Sequence, residues 1–258
     1  MSFRADFARR LRAREPLAGT FVKSRDPAVV EILGHAGYDF AVLDAEHVAF
    51  GRADIAAMAV ASRAARLPLV VRVPEAGGPW IATALDAGAA GVMVPQVGDT
   101  DTAARLVRAV RHGAGGLGFS PSVPGADYGA RGVAGHLAQH PLETVLICQI
   151  EDPEAVARAE AIAAVDGVDG LLVGPVDLAV AAGLSDPQNP SVAQMSETTA
   201  RAAAAQGKAA GLFIGDPASA AHWRARGVTL FVHGSDQALM AQAARAGLAA
   251  MRKGWSAG

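Results

Sequence analysis

Short apolar runs alternate along this chain with longer alanine-rich segments of helical period. The runs fall at residues 19–23, 40–43, 69–73, 91–95, 144–151, 170–174, 209–214 and 228–233. Each is too short for a helix and rich in Val, Ile, Leu or Phe, so each predicts a buried strand. Helices are predicted over 26–36, with Asp26 as cap and Pro27 at the first position, and over 52–66, with Pro68 beyond its end. Further helices are predicted over 79–86, stopped by Gly88, over 100–111, from Asp152-Pro153 onward, and over 236–253. Gly37, Gly88, Gly167 and Gly227 each stand between a helix and the next strand, where a left-handed cap turns one into the other.

Strands alternating with helices imply an all-parallel sheet. Eight such units favour a closed (β/α)8 barrel (a TIM barrel), with an open doubly wound sheet as the alternative. Against the latter, the first strand is followed by Lys23-Ser24-Arg25-Asp26 and not by the glycine fingerprint of a dinucleotide site. Only the glycine-rich stretch 112–135 breaks the rhythm. A structureless loop of that length is expected to be functional or disordered.

Length and composition fit one barrel domain over residues 1–258. The chain is 51% hydrophobic and 19% charged, and such a barrel typically needs about 250 residues. A formal net charge of -2 suggests neither a nucleic-acid nor an anionic-membrane partner. Cys148 is the single cysteine, which excludes a disulfide framework or a cysteine metal site within one chain. Residues 1–14 hold no apolar core of a secretory signal, and no run is long enough to span a bilayer. A cytoplasmic location is the expectation.

In a barrel, the carboxyl ends of the strands share one mouth. Those ends carry Lys23, then Asp44, Glu46 and His47, then Arg72, Pro95-Gln96, Gln149 with Glu151, Asp177, and His233. Asp44-Ala45-Glu46-His47 allows an aspartate to orient a histidine ring that moves a proton, or a helix N-cap by Asp44 with His47 incidental. Gln149 and Glu151 lie two apart and so face the same way. Glu151 and Asp177 on neighbouring strands suit a hard divalent cation, and Arg72 suits a carboxylate or a developing oxyanion. Each has a structural alternative. Glu151-Asp152-Pro153 and Asp177 can cap helices, and Arg72 can be an ion-pair partner. His35, His112, His136, His140, His222 and His233 read as structural or exposed.

Four separate motifs, in order and spacing, carry a resemblance. They are Gly37-Tyr38-Asp39-Phe40 through Asp44-Ala45-Glu46-His47, Val71-Arg72, Gln149-Ile150-Glu151, and Gly174-Pro175-Val176-Asp177-Leu178. Over nearly its whole length the chain resembles the HpcH/HpaI family of class II, metal-dependent 2-oxo-acid aldolases. The resemblance implies a divalent cation (Mg²⁺, Mn²⁺ or Co²⁺) held by Glu151 and Asp177, and Asp44 with His47 as acid–base pair. It places Arg72 on the substrate keto or enolate oxygen, Gln149 beside the metal site, and the backbone near Val176 and Asp177 on the pyruvate carboxylate. Phe21 and Leu212 would shape the aldehyde pocket. The chain departs from the family at residues 112–118, which lack its prolines and arginine, and at Ala179, where a serine is frequent. Both departures bear on the aldehyde.

The implied reaction is reversible cleavage of a 4-hydroxy-2-oxo acid to pyruvate, or hydroxypyruvate, and an aldehyde. The base is either the His47–Asp44 pair or a hydroxide on the metal. Glu46 would orient Arg72. The resemblance also implies a homo-oligomer, a hexamer built from dimers. Two alternatives stand beside it: an acyl-CoA lyase of the citrate-lyase-β type, and a non-catalytic protein that binds a 2-oxo acid.

Overall fold

The computed structural model describes residues 1–77 and 79–255. Strands β1 (Leu17–Val22), β2 (Phe40–Asp44), β3 (Leu69–Arg72), β4 (Gly91–Val94), β5 (Val145–Ile150), β6 (Gly170–Val173), β7 (Ala209–Ile214) and β8 (Leu230–Ser235) pair in chain order. All are parallel, and β8 returns to β1, so the sheet is a closed (β/α)8 barrel and not an open one. The helices in chain order are α1 (Phe3–Arg12), α2 (Ala28–His35), α3 (Arg52–Ala65), α4 (Trp80–Ala87), α5 (Thr100–Ala109) and α6 (Gly132–Glu143). They continue as α7 (Pro153–Ala164), α8 (Pro175–Ala181), α9 (Pro190–Ala205), α10 (Ala220–Arg224) and α11 (Asp236–Trp255). Among the described residues no helix is long and apolar enough to cross a membrane.

Strand alternation divides the apolar residues into two layers. Val22, Leu43, Val71, Val94, Ile150, Val173, Leu212 and Phe231 point outward, into the layer beneath the helices. Phe21, Phe40, Val42, Val70, Met93, Ile147, Leu172 and Val232 point inward and fill the barrel. Space inside is limited. A Cβ on Gly19 would lie 2.5 Å from the Phe40 ring, its register partner on β2, so the bulk of one strand is met by the absence of a side chain on the next. Phe40 is fully buried, and truncating such a ring to alanine costs about 3–5 kcal/mol.

Helices α1 and α6 depart from the sequence expectation. Ser2 caps α1 by accepting the Ala5 N–H at 3.1 Å. Its Phe7, Ala8 and Leu11 then plug the amino-terminal end of the barrel, with the Phe7 and Phe40 rings 5.4 Å apart. The stretch 112–135 is folded. It contains a 3-10 turn over Pro124–Gly129 and the start of α6, whose pattern is broken by Gly132, Gly135 and Pro141. Gly125 fits against the Leu85 carbonyl, where a Cβ would come within 2.4 Å. Glu143 at the end of α6 is buried between Arg4 of α1 (2.8 Å) and Arg131 (2.7 Å), so the plug and the long connection are held by one carboxylate.

Candidate active site

The same alternation decides which strand ends reach the mouth. Asp44 and Arg72 are register partners on β2 and β3, and both point inward. Arg72 Nε donates to Asp44 Oδ1 at 3.0 Å and Nη2 lies 2.8 Å from the same oxygen, while Lys23 Nζ stands 3.3 Å from Oδ2. The third face of the guanidinium lies 4.5 Å over the Phe21 ring, and Nη1 is 3.3 Å from Glu46 Oε2. Burial opposes ionisation of Asp44, but Arg72, the His47 backbone N–H and Lys23 outweigh it and hold its pKa below the ordinary range. Arg72 is therefore a fixed cation, clamped by Asp44 and Glu46.

The acid–base pair expected of Asp44 and His47 takes a different form. Asp44 Oδ1 accepts the backbone N–H of His47 at 3.2 Å and not a ring nitrogen. The carboxylate is drawn down to Arg72 and Lys23 and closes a turn; no helix follows until α3, which Gly51 and not Asp44 caps. The His47 ring is half-exposed at the mouth, and Glu46 Oε2 stands 3.8 Å from its Nε2. Burial, with the charges of Asp44 and Asp177, raises the pKa of Glu46 against the pull of Arg72.

On the far side, Asp152 caps α7 by accepting the Ala155 N–H at 2.7 Å. That leaves Glu151 free of the helix. Its Oε1 accepts the Gln149 amide, and its Oε2 accepts the Gln96 backbone N–H at 2.8 Å. Gln96 adopts a left-handed φ of 56° to present that N–H, an uncommon backbone for glutamine. Burial raises Glu151 to about 7; Gln96 opposes this, and Asp177 and Glu46 add to it. Three carboxylates thus share a small region with the buried Gln149 Oε1, which lacks a hydrogen-bond partner in the protein. Gly174 is the floor between them. A Cβ there would lie 2.8 Å from Asp177 Oδ2 and 3.2 Å from the Gln149 amide nitrogen. An oxygen-rich donor set with one orphaned carbonyl fits a hard divalent cation.

These groups border a cavity of about 330 Å³ that includes Phe21, Lys23, His47, Arg72, Gln149, Gly174, Val176 and Asp177. Leu212 does not border it. Leu212 points outward beneath the helices and reaches a second cavity, while its neighbour Phe213 turns inward and lines the mouth 6.0 Å from Phe21. The β7 side chain that lines the mouth is therefore Phe213 and not Leu212, because a step of one residue reverses the face. Asp236, absent from the sequence-based site, accepts the backbone N–H groups of Lys23 and Ser24 at 2.9 and 3.0 Å and fixes the loop that carries Lys23. The divergent stretch 112–118 packs against the end of α5, so within this chain it lies at the opposite end of the barrel from the mouth. Ala179 is buried in the layer beneath the helices.

The chain is 36% identical over 251 residues to the hydroxypyruvate/pyruvate aldolase of Paraburkholderia phytofirmans, covering 94% of this chain and 96% of that one. It is 33% identical to the 5-keto-4-deoxy-D-glucarate aldolase of Shigella dysenteriae over 89% of this chain and 90% of the other. A crystal structure of an HpcH/HpaI aldolase/citrate lyase family protein from Burkholderia cenocepacia superposes with a TM-score of 0.90 at 36% identity, covering 96% and 99% of the two chains. With residues 17–243 matching the family's sequence profile as well, the chain belongs to the HpcH/HpaI aldolase/citrate lyase family.

Proposed function

We propose that this enzyme cleaves 4-hydroxy-2-oxo acids to pyruvate or hydroxypyruvate and an aldehyde, and catalyses the reverse addition. The observation that carries this reading is the meeting of Glu151, Asp177 and the orphaned Gln149 carbonyl oxygen beside a buried, clamped Arg72. Relatives named as hydroxypyruvate/pyruvate aldolases support the donor class. The family depends on a divalent metal in general. Here Glu151 and Asp177 would hold it, and Mg²⁺, Mn²⁺ or Co²⁺ would supply Lewis-acid polarisation of a carbonyl.

The chain's own residues do the rest. The amides of Val176 and Asp177, in the first turn of α8, would receive the substrate carboxylate. Arg72, whose position is set before substrate arrives, would offset negative charge on the keto oxygen. Gln149 would orient Glu151 and turn its carbonyl oxygen toward the bound group. His47 would take the proton of the 4-hydroxyl in cleavage and return it in addition, with Glu46 as the carboxylate nearest its ring. Phe21 and Phe213 would form the apolar wall facing the aldehyde.

The cavity size favours a small acid over an acyl-CoA thioester. Among its described lining residues the lysine and arginine are Lys23 and Arg72, both already paired with Asp44, which leaves no cation for CoA phosphates. An oligomer is supported by α11. It runs 20 residues with Asp236 as its one buried residue, and it exposes Met240, Leu248, Met251 and Trp255. A matrix of donors, aldehydes and metals tests the function. Turnover should require a 2-oxo acid and a divalent metal together, and selective turnover of acyl-CoA thioesters would refute the proposal.

A further inference from the structure

Far from the mouth, three imidazoles meet. His112 follows the carboxyl end of α5, and His136 and His140 lie four apart on α6, so they share one helix face. One nitrogen from each ring lies within 4.8 Å of the others, and the ring centroids are 4.4–5.6 Å apart. The cluster sits at the amino-terminal end of the barrel, since His140 Nε2 bonds the Val110 carbonyl that closes α5.

The hydrogen bonds fix which nitrogens are free. A carbonyl only accepts, so His140 Nε2 carries a proton toward Val110 O at 2.9 Å, and Nδ1 keeps its lone pair. His112 Nδ1 meets the Leu117 carbonyl at 3.4 Å, which leaves its Nε2 with the lone pair. That His112 Nε2 is buried and without a partner, and so is Nδ1 of His136, itself 4% exposed. A ring that donates one N–H to a backbone carbonyl and turns a bare nitrogen into a buried site is the usual setting of a metal-ligating histidine. Phe119 covers the group, 5.2 Å from the His112 ring and 5.7 Å from His136.

We propose that His112, His136 and His140 form a second metal site, specific for Zn²⁺ or a similar borderline transition ion, which pins the 112–135 connection to α5 and α6. Neutral nitrogen donors suit such ions and not the hard cation of the mouth. Three zinc–nitrogen bonds of about 2.0–2.1 Å would draw the nitrogens to about 3.4 Å apart, a side-chain rotation from where they stand, and leave a fourth position for water. Of the nearby charges, Asp86 of α4 favours a cation through its interaction with His112, whereas Arg111 opposes one. Arg4 and Arg131 also oppose one, and their charges are offset by Glu143 and Asp127. As a bare stack of rings, the cluster would leave buried nitrogens unsatisfied. The site is independent of the proposed reaction.

The test is calorimetric titration of the metal-stripped full chain with Zn²⁺ in excess Mg²⁺. One Zn²⁺ per chain should bind in the wild type and equally in a Glu151→Gln/Asp177→Asn double variant. His112→Gln and His136→Gln should each weaken it by at least about a hundredfold, the upper end of what losing an outer partner costs. Co²⁺ loaded on the double variant, whose histidines are intact, should give the intense visible bands of a tetrahedral nitrogen site. Zn²⁺ binding that disappears with Glu151 and Asp177, binding untouched by both histidine changes, absence of binding, or a weak octahedral Co²⁺ spectrum would each overturn the site.

Discussion

Arg72 and Asp44 face each other across β2 and β3, joined by one hydrogen bond from Nε at 3.0 Å and an ion-pair contact from Nη2 at 2.8 Å, both side chains being almost wholly buried. The pair sets the guanidinium before any substrate enters. Arg72→Ala should lower kcat/KM about a hundredfold or more, as loss of an oxyanion donor does. Arg72→Lys should not restore it, because one ammonium cannot serve Asp44, Glu46 and substrate together. Asp44→Ala should cost stability as well, about 3–5 kcal/mol by urea unfolding, since it strands a buried cation. Near wild-type turnover in Arg72→Ala would remove Arg72 from the chemistry.

His47 touches Asp44 only through its backbone, so the ring and the carboxylate have separate roles. His47→Ala should lower kcat for cleavage by about 10²–10⁴, the usual worth of a general base, with little change in the KM for the 2-oxo acid. Glu46→Gln should shift the pH profile of kcat, because Glu46 is the carboxylate nearest the ring. Steady-state kinetics across pH would detect both. An unchanged kcat in His47→Ala would leave residues 44–47 as a structural turn.

Leu212 and Phe213 separate packing from specificity. Leu212→Ala removes an outward core residue and should cost about 2–5 kcal/mol with the aldehyde KM retained. Phe213→Ala opens the mouth and should change KM and selectivity among aldehydes at smaller cost in stability. The reverse pattern would restore Leu212 to the aldehyde pocket.

Glu143 makes stability depend on acid. Burial works against its charge, but Arg131, Arg4 and Ser2 outweigh it and hold its pKa below the ordinary range. The contribution of a group with a lowered folded pKa is complete above the unfolded value, about 4.3 for glutamate, and is lost as pH falls through the folded one. Glu143→Gln should therefore be less stable at neutral pH, and its urea midpoint should fall less steeply with acid than that of the wild type. Parallel curves would show that the cluster carries no such linkage.

The barrel was legible because its strands are short apolar runs closed by helix-ending glycines; Gly37, Gly88, Gly167 and Gly227 all adopt the left-handed φ of 90–100° that such an ending needs. The candidate site was legible as far as strand ends could be read in order, which brought Lys23, Asp44, Arg72, Gln149 and Glu151 to one mouth. Three things were hidden. Helix α6 has Gly132, Gly135 and Pro141 in its span, so propensity argues against it. The face of β7 needed its register against β6 and β8, without which Leu212 and Phe213 are interchangeable. Asp236 is close to Lys23 only after the barrel closes, a contact across more than two hundred residues that no local pattern reports. The pair His136-x-x-x-His140 was a usable signal, obscured because α6 itself was not evident.

The central claim is that a metal held by Glu151 and Asp177, and not an imine on a lysine, makes this site act on 2-oxo acids. Lys23 is the lysine at the mouth, and it stands 3.3 Å from Asp44. Exchange of pyruvate methyl protons in deuterated water, followed by NMR, tests the claim without needing the aldehyde. We expect exchange with Mg²⁺, Mn²⁺ or Co²⁺, its loss in chelator, recovery on adding metal back, and near silence in Glu151→Gln. Borohydride with pyruvate should leave the chain mass unchanged. Exchange that persists in chelator, together with a pyruvyl adduct on Lys23, would contradict the account and leave the two carboxylates without a metal to hold.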